Sequence, residues 1–101
     1  MITKQQREQL RRMAHDLRPI AQVGKQGPTP TLITSIDQAI TVHELVKVKF
    51  MDFKEERRDV SEAIAQQIGA EVVTIIGNVA IFYRENPDPA RRRIELGRQA
   101  Q

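Results

Sequence analysis

The feature that most constrains the fold is a pair of apolar runs joined by two turn residues. Residues 72–76 and 79–83 are rich in β-branched and aromatic side chains, and Gly77-Asn78 lies between them. Two such runs separated by a Gly-Asn pair are typical of a β-hairpin with a tight turn. The sequence therefore predicts two antiparallel strands in this part of the chain.

A further strand is predicted over residues 45–50, where apolar and charged residues alternate. Val46, Val48 and Phe50 fall on one face of such a strand, and Lys47 and Lys49 fall on the other. Strict alternation indicates a half-buried strand, so the two lysines are candidates to contact a ligand. A fourth extended run is predicted over residues 19–23.

The first helix is predicted to begin after Thr3 and to end at Pro19, because Thr3 and Gln6 fit a capping box. Its apolar residues follow helical spacing and form a predicted buried stripe of Leu10, Met13, Ala14 and Leu17. Four basic residues also recur at helical spacing, about 90° from the centre of that stripe. They form a predicted basic edge of Lys4, Arg7, Arg11 and Arg18.

Two more helices separate the remaining strands. Thr29 is the predicted N-cap of the second, with Pro30 at its first position, and the third is expected from about residue 55 to Ile68. The predicted order is α-β-α-β-α-β-β in one α/β domain, with a mixed four-stranded sheet. We expect residues 1–86 to form this domain and residues 87–101 to be a basic, weakly ordered C-terminal tail.

The residues that catalysis would need are missing from the sequence. There is no cysteine, the two serines are predicted within helices, and the two histidines are isolated. Nucleophile, phosphate-loop and zinc motifs are also absent, and the acidic residues 52–62 are interleaved with basic ones. We therefore predict a protein that is not an enzyme and has no cofactor, no metal and no small-molecule substrate.

The positive charge of the chain is concentrated in its first quarter. Residues 1–27 hold six Lys or Arg against two acids, whereas residues 28–101 hold ten against eleven. Such a concentration suits a polyanionic partner, although a basic protein without one is the alternative. Because no apolar run is long enough for a membrane span or a signal peptide, we predict a cytoplasmic protein without membrane contact. We also expect the protein to act as a monomer.

The segment Gly24-Lys25-Gln26-Gly27, hereafter the GxxG loop, joins a predicted strand to the start of a predicted helix. At that position backbone N–H groups can converge on an anion, glycines let a sugar-phosphate backbone come close, and Lys25 adds a charge. A tight turn without a ligand is the alternative, because the bare pattern is weak. The basic edge, Lys47 and Lys49 favour the phosphate interpretation.

The sequence resembles the CRM domain family (chloroplast RNA splicing and ribosome maturation), in its bacterial stand-alone, YhbY-like form. The resemblance covers about residues 1–86 and is carried by Leu10-Arg-Arg-Met-Ala-His15, Leu17-Arg-Pro-Ile20, Val23-Gly-Lys-Gln-Gly27, Ile36-Asp-Gln-Ala39, His43-Glu-Leu-Val-Lys-Val48, Ile76-Gly-Asn-Val79 and Phe82-Tyr-Arg84. It implies a fold similar to the C-terminal domain of bacterial translation initiation factor three. It also implies association with precursors of the large ribosomal subunit and RNA binding through Gly24, Lys25, Gln26, Gly27, Arg11, Arg12 and Arg18. Many members have a third glycine at Gln26 and a hydrophobic residue at Pro28, so this loop should be stiffer.

The resulting functional prediction is an RNA-binding protein that associates with large-subunit ribosomal RNA and assists ribosome maturation. Only four aromatic residues are present, so we expect it to read backbone and shape rather than stacked bases. The alternative is a protein-interaction module that docks on a ribosomal protein or translation factor. The predicted RNA-binding residues are Gly24, Lys25, Gln26, Gly27, Lys4, Arg7, Arg11, Arg12, Arg18, Lys47 and Lys49.

Overall fold

The computed structural model describes residues 2–96, and its helices and strands follow the predicted order. The elements are α1 (Lys4–Ala14), β1 (Pro19–Val23), α2 (Pro30–His43), β2 (Leu45–Phe50), α3 (Arg57–Ile68), β3 (Glu71–Ile76), β4 (Val79–Tyr83) and a short 3₁₀ helix (Pro89–Arg91). The α-β-α-β-α-β-β prediction is thus confirmed. Within residues 2–96, no helix is both long enough and apolar enough to cross a membrane.

The four strands form one mixed sheet in the order β1-β2-β4-β3. β1 lies parallel to β2, while β4 lies antiparallel to both β2 and β3. The hairpin turn at Gly77-Asn78 comes beside the C-terminal end of β2, where the Phe50 N–H donates to the Asn78 carbonyl at 2.6 Å. The loops after β1 and β2 and the hairpin turn therefore share one end of the sheet.

Helices α2 and α3 cover one face of this sheet. The alternation in β2 sends Val46, Val48 and Phe50 into that layer, where all three are buried, as predicted. Phe82 from β4 packs in the same cluster and is also fully buried. This layer is the larger of the two apolar cores and leaves the opposite face of the sheet to α1.

Helix α1 and the end of the described chain pack on the opposite face. Leu10 and Ala14 of α1 contact a second buried cluster that includes Leu45, Ile81 and Ile94. The structure is therefore a three-layer sandwich, with helices on both faces of the sheet. α1 covers only part of its face, and the sheet surface near the hairpin turn remains exposed.

Helix α1 is shorter than predicted. Its capping box between Thr3 and Gln6 is present, but the helix ends at Ala14 rather than at Pro19. The residue before a proline avoids helical backbone, and the chain must turn before Pro19 to enter β1. As a consequence Leu17 is 40% exposed rather than buried, and Arg18 no longer shares the register of the basic edge. Met13 lies within α1 but is also 42% exposed, so only Leu10 and Ala14 of the predicted stripe are buried.

The C-terminal segment, residues 84–96, differs from the weakly ordered tail that the composition predicts from residue 87. Glu44 is fully buried, and its carboxylate accepts hydrogen bonds from the backbone N–H groups of Asn86 (2.5 Å), Arg93 (2.6 Å) and Ile94 (3.0 Å). These bonds, together with burial of Ile94, fix the segment against the α1 layer. Residues 97–101 of the predicted tail lie outside the described residues.

Candidate nucleic-acid interface

The GxxG loop connects β1 to α2 through a hydrogen-bonded turn. The Gly27 N–H donates to the Gly24 carbonyl at 3.0 Å, and the Thr29 N–H donates to the Gly27 carbonyl at 3.0 Å. Thr29 caps α2 as predicted, with its hydroxyl accepting from the Leu32 N–H. The turn thus uses part of the loop's donors, and Pro28 and Pro30 supply none.

The donors that remain for a ligand lie at the tip of the loop. Lys25 and Gln26 are exposed, and within residues 2–96 their backbone N–H groups have no protein acceptor. The Lys25 ammonium extends from the same point, close to the positive end of the α2 dipole. An anion at the tip can therefore be held by two amides and one side-chain charge, a smaller set than the sequence suggested.

The two glycines of the loop have different structural requirements. Gly27 is buried with φ +72°, and a Cβ there would lie 3.4 Å from the Phe53 ring. Gly24 has a φ outside the left-handed region, and a Cβ there would meet no atom within 4 Å. The fold requires glycine at Gly27 but not at Gly24, and Gly24 leaves the backbone at the loop's entry open to a ligand.

We predict that Gly27→Ala lowers the free energy of unfolding by about 1–2 kcal/mol, because alanine is strained at this φ. Gly24→Ala should leave it unchanged within about 0.5 kcal/mol or raise it slightly through the unfolded state. Urea unfolding of the two variants beside the parent protein measures both values. A Gly24→Ala protein destabilised as much as Gly27→Ala would show that the fold itself needs both glycines.

The lysines of β2 lie on the face opposite Val46, Val48 and Phe50, as predicted, and this is the face that α1 covers. Among residues 2–96, the Lys47 ammonium has hydrogen-bond partners and the Lys49 ammonium has none. Lys49 is exposed and pairs in register with Gln22 of β1, two residues before the GxxG loop. The Lys47 ammonium donates to the carbonyls of His15 (3.3 Å) and Leu17 (3.0 Å). Lys47 therefore stabilises the end of α1, where a positive charge is favourable, whereas Lys49 is available to a ligand.

The basic residues of α1 also divide into structural and exposed ones. The Arg7 guanidinium donates to the carbonyls of Val72 (2.9 Å) and Val73 (2.5 Å), where the β3–β4 register shifts. Arg7 is thus a partly buried link between α1 and β3. Lys4 and Arg12 are exposed, and Arg12 points away from the sheet because it follows buried Leu10 by two positions.

Arg11 is exposed and paired with Glu8 at 2.9 Å. Its hydrogen bond and its charge lower the pKa of the Glu8 carboxyl, so both groups stay charged at neutral pH. Exposed ion pairs of this kind are worth little, because water and salt screen them. A phosphate can therefore replace Glu8 as the partner of Arg11 at small cost.

A groove that sequence reasoning missed lies between α1 and the exposed part of the sheet. We call it the basic groove; its lining residues are Arg11, His15, Lys47, Ile76, Val79 and Ile81. Only the fold brings them together, since they come from α1, β2 and the β3–β4 hairpin. The basic groove and the GxxG loop lie at the same end of the sheet, and Lys49 lies between them.

Arg18 does not join this surface. It precedes β1, whereas the GxxG loop follows β1, so a five-residue strand of roughly 16 Å separates them. Arg18 instead borders a second, apolar groove with Met13, Leu17 and Ile20. The structure thus groups Gly24–Gly27, Lys49 and Arg11, and it separates Arg18 from them. Within residues 2–96, no group of three or more His, Asp or Glu residues is placed to hold a metal ion.

Comparison with known proteins finds one family model and several relatives that match nearly the whole chain. Residues 2–84 match the CRS1/YhbY (CRM) domain family. The chain is 37% identical over 97 residues to "Probable RNA-binding protein YqeI" of Bacillus subtilis, covering 95% of this chain and 99% of that one. It is 30% identical over 100 residues to "Probable RNA-binding protein PA4753" of Pseudomonas aeruginosa, covering 98% of this chain and 96% of that one. The solution structure of the hypothetical protein SAV1595 of Staphylococcus aureus superposes with a TM-score of 0.82 at 32% identity, covering 96% of this chain and 100% of that one.

Proposed function

The chain belongs to the CRS1/YhbY (CRM) domain family, and we propose that it binds RNA at the end of the sheet that carries the GxxG loop. The observation that carries the proposal is the exposed tip of this loop, where two N–H groups have no acceptor among residues 2–96 and the Lys25 charge lies beside an unobstructed Gly24. The names of its relatives as RNA-binding proteins support the same class of ligand.

The contacts we propose are mainly with the RNA backbone. One phosphate binds the amides of Lys25 and Gln26, and further phosphates reach Lys49 and Arg11 on the adjoining sheet face. Phe50, Phe82 and Tyr83 are buried and offer no stacking surface. This distribution supports recognition of structured RNA by its phosphates and 2′-hydroxyl groups rather than by rows of stacked bases.

We further propose that the RNA is large-subunit ribosomal RNA or its precursor particle, and that the protein acts there in the cytoplasm as a monomer that assists ribosome maturation. The proposed role is binding without bond cleavage. It has a direct test in crosslinking of the protein to RNA in cells, followed by sequencing of the bound fragments. Large-subunit sequences should dominate; a bound pool made mainly of messenger or transfer RNA would refute the ribosomal assignment.

A second candidate function is docking on a ribosomal protein or translation factor. It is favoured by the apolar groove, where the side chains of Met13, Leu17 and Ile20 are each about 40% exposed. The two functions differ in their response to salt. Phosphate contacts lose affinity steeply as salt rises, whereas an apolar docking surface does not, so particle binding measured at increasing salt separates them.

A further inference from the structure

The floor of the basic groove is an exposed apolar surface on the sheet. Ile76, the last residue of β3, has 53% of its surface exposed, the largest fraction among the big exposed apolar side chains of residues 2–96. Val79, which is partly buried, follows the hairpin turn and pairs with Ile76, while Ile81 lies further along β4 and is 2% exposed beneath α1. The open part of the floor is therefore a small apolar patch of Ile76 and Val79, bounded by the buried Ile81.

The rim of the basic groove carries nitrogen-bearing side chains. Arg11 lies in the C-terminal half of α1, His15 directly follows that helix, and the Lys47 ammonium is held in place by two backbone carbonyls. A guanidinium plane and an imidazole ring both stack on nucleobases, and a fixed ammonium favours their carbonyl and ring-nitrogen acceptors. Glu8 reaches this rim only through its exposed ion pair with Arg11.

The basic groove is continuous with the proposed phosphate site. Lys49 pairs in register with Val79 of the groove on one side and with Gln22 on the other, two residues before Gly24. The path from the groove to the loop crosses two strand spacings, or roughly 10 Å. One RNA strand can therefore pass its backbone over Lys49 and the loop while it places a base in the groove.

We infer that the basic groove binds one unpaired nucleobase of the RNA strand whose backbone crosses the GxxG loop. The inference rests on the proposed RNA binding and adds a chemical preference to it, namely RNA in which a base is displaced beside a helix. A base satisfies both halves of the groove, since its faces are apolar and its edges carry hydrogen-bond acceptors. The positive rim and the adjoining phosphate site favour a nucleotide over an apolar protein segment.

The test compares two exposed isoleucines, Ile76 on β3 and Ile20 on β1, which are the two edge strands of the sheet. Ile76→Thr removes apolar surface from the groove and keeps a β-branched residue, so β3 should be preserved. Ile20→Thr makes the same change on β1, where Ile20 is 41% exposed outside the basic groove. Each variant is titrated with a short RNA hairpin that carries one bulged adenosine and with the same hairpin without the bulge.

We expect Ile76→Thr to weaken binding of the bulged hairpin about fivefold, at the lower end of what base contacts contribute, and to leave the paired hairpin unchanged. Ile20→Thr should leave the binding of both hairpins unchanged. A fluorescent adenine analogue at the bulge should change its emission on binding to the parent protein and less so with Ile76→Thr.

Three results would overturn the inference. They are equal binding of the bulged hairpin by Ile76→Thr and the parent protein, equal weakening of both hairpins by Ile76→Thr, and equal weakening by the two threonine variants. If any of these is found while Lys25→Glu still reduces binding, the proposed RNA function stands and only the nucleobase site falls. If the parent protein binds neither hairpin nor precursor ribosomal RNA, the proposed function fails and the inference with it.

Discussion

The Glu44→Ala protein is expected to lose about 3 kcal/mol of unfolding free energy, because three backbone N–H groups lose a buried, charged acceptor at once. Those groups belong to Asn86, Arg93 and Ile94. Without the carboxylate the C-terminal segment should detach and expose the apolar cluster beneath Ile94. Hydrogen exchange should then become fast at these three amides while β2 and β4 stay protected.

The unfolding free energy that Glu44 contributes depends on pH, and the surroundings of its carboxyl determine the direction of that dependence. Burial opposes ionisation of its carboxyl, but the hydrogen bonds from Asn86, Arg93 and Ile94 and the charge of Arg92 outweigh burial and lower its pKa. A lowered folded-state pKa contributes stability above the ordinary value of 4.5, and that stability is lost as pH falls through the folded-state pKa. The parent protein should therefore lose stability below pH 4.5 more steeply than Glu44→Ala.

Three substitutions at Glu44 separate the carboxylate from the backbone. Glu44 has φ 66°, a left-handed conformation that is unfavourable for residues with a Cβ. Glu44→Gly should therefore be about 1 kcal/mol more stable than Glu44→Ala, the reverse of the usual order. Glu44→Gln keeps one acceptor oxygen and should lose least. Urea midpoints test this order, with exposed Glu95→Ala as a control that should change by less than about 0.5 kcal/mol. A midpoint of Glu44→Ala equal to that of Glu95→Ala would contradict the account.

Local patterns predicted most of the secondary structure, because each pattern acts over a few residues. The alternation in residues 45–50, the Gly77-Asn78 turn and the caps at Thr3 and Thr29 all specify the backbone next to them. The end of α1 was missed for the same reason. The helical spacing of Leu17 and Arg18 continues past Ala14, and only entry into β1 ends the helix.

Contacts between distant residues could not be read from these patterns. Glu44 binds amides about 40 to 50 positions later, and Arg7 binds carbonyls 65 and 66 positions later. Charge alone could not separate Arg7 and Lys47, which hold the fold together, from Arg11 and Lys49, which are exposed or weakly paired. The basic groove could not be predicted either, because its lining residues come from α1, β2 and the β3–β4 hairpin, which are far apart in the sequence.

The second large effect is expected from Lys25→Glu, which should keep the fold and weaken RNA binding about tenfold or more. Lys25 is exposed at the tip of the GxxG loop, so its replacement should change stability by less than about 0.5 kcal/mol. The new carboxylate would repel the phosphate that the amides of Lys25 and Gln26 hold. Loss of the lysine contact should also flatten the dependence of affinity on salt by about one unit of slope.

The matched control is Arg91→Glu, which changes the net charge by the same amount. Arg91 is exposed and lies beside Thr41 and Val42 near the C-terminal end of α2, at the other end of the sheet from the GxxG loop. Any loss of affinity that comes only from overall charge should appear equally in the two variants. Lys25→Ala, which removes the charge without reversing it, should lie between the parent protein and Lys25→Glu.

The most direct test of RNA binding at the GxxG loop is the affinity of these proteins for precursor large-subunit RNA at physiological salt. The melting temperature of each protein is recorded beside its affinity. We predict that Lys25→Glu melts like the parent protein but binds about tenfold or more weakly, while Arg91→Glu binds nearly as well as the parent. A folded Lys25→Glu protein that binds this RNA with the parent affinity would contradict the account.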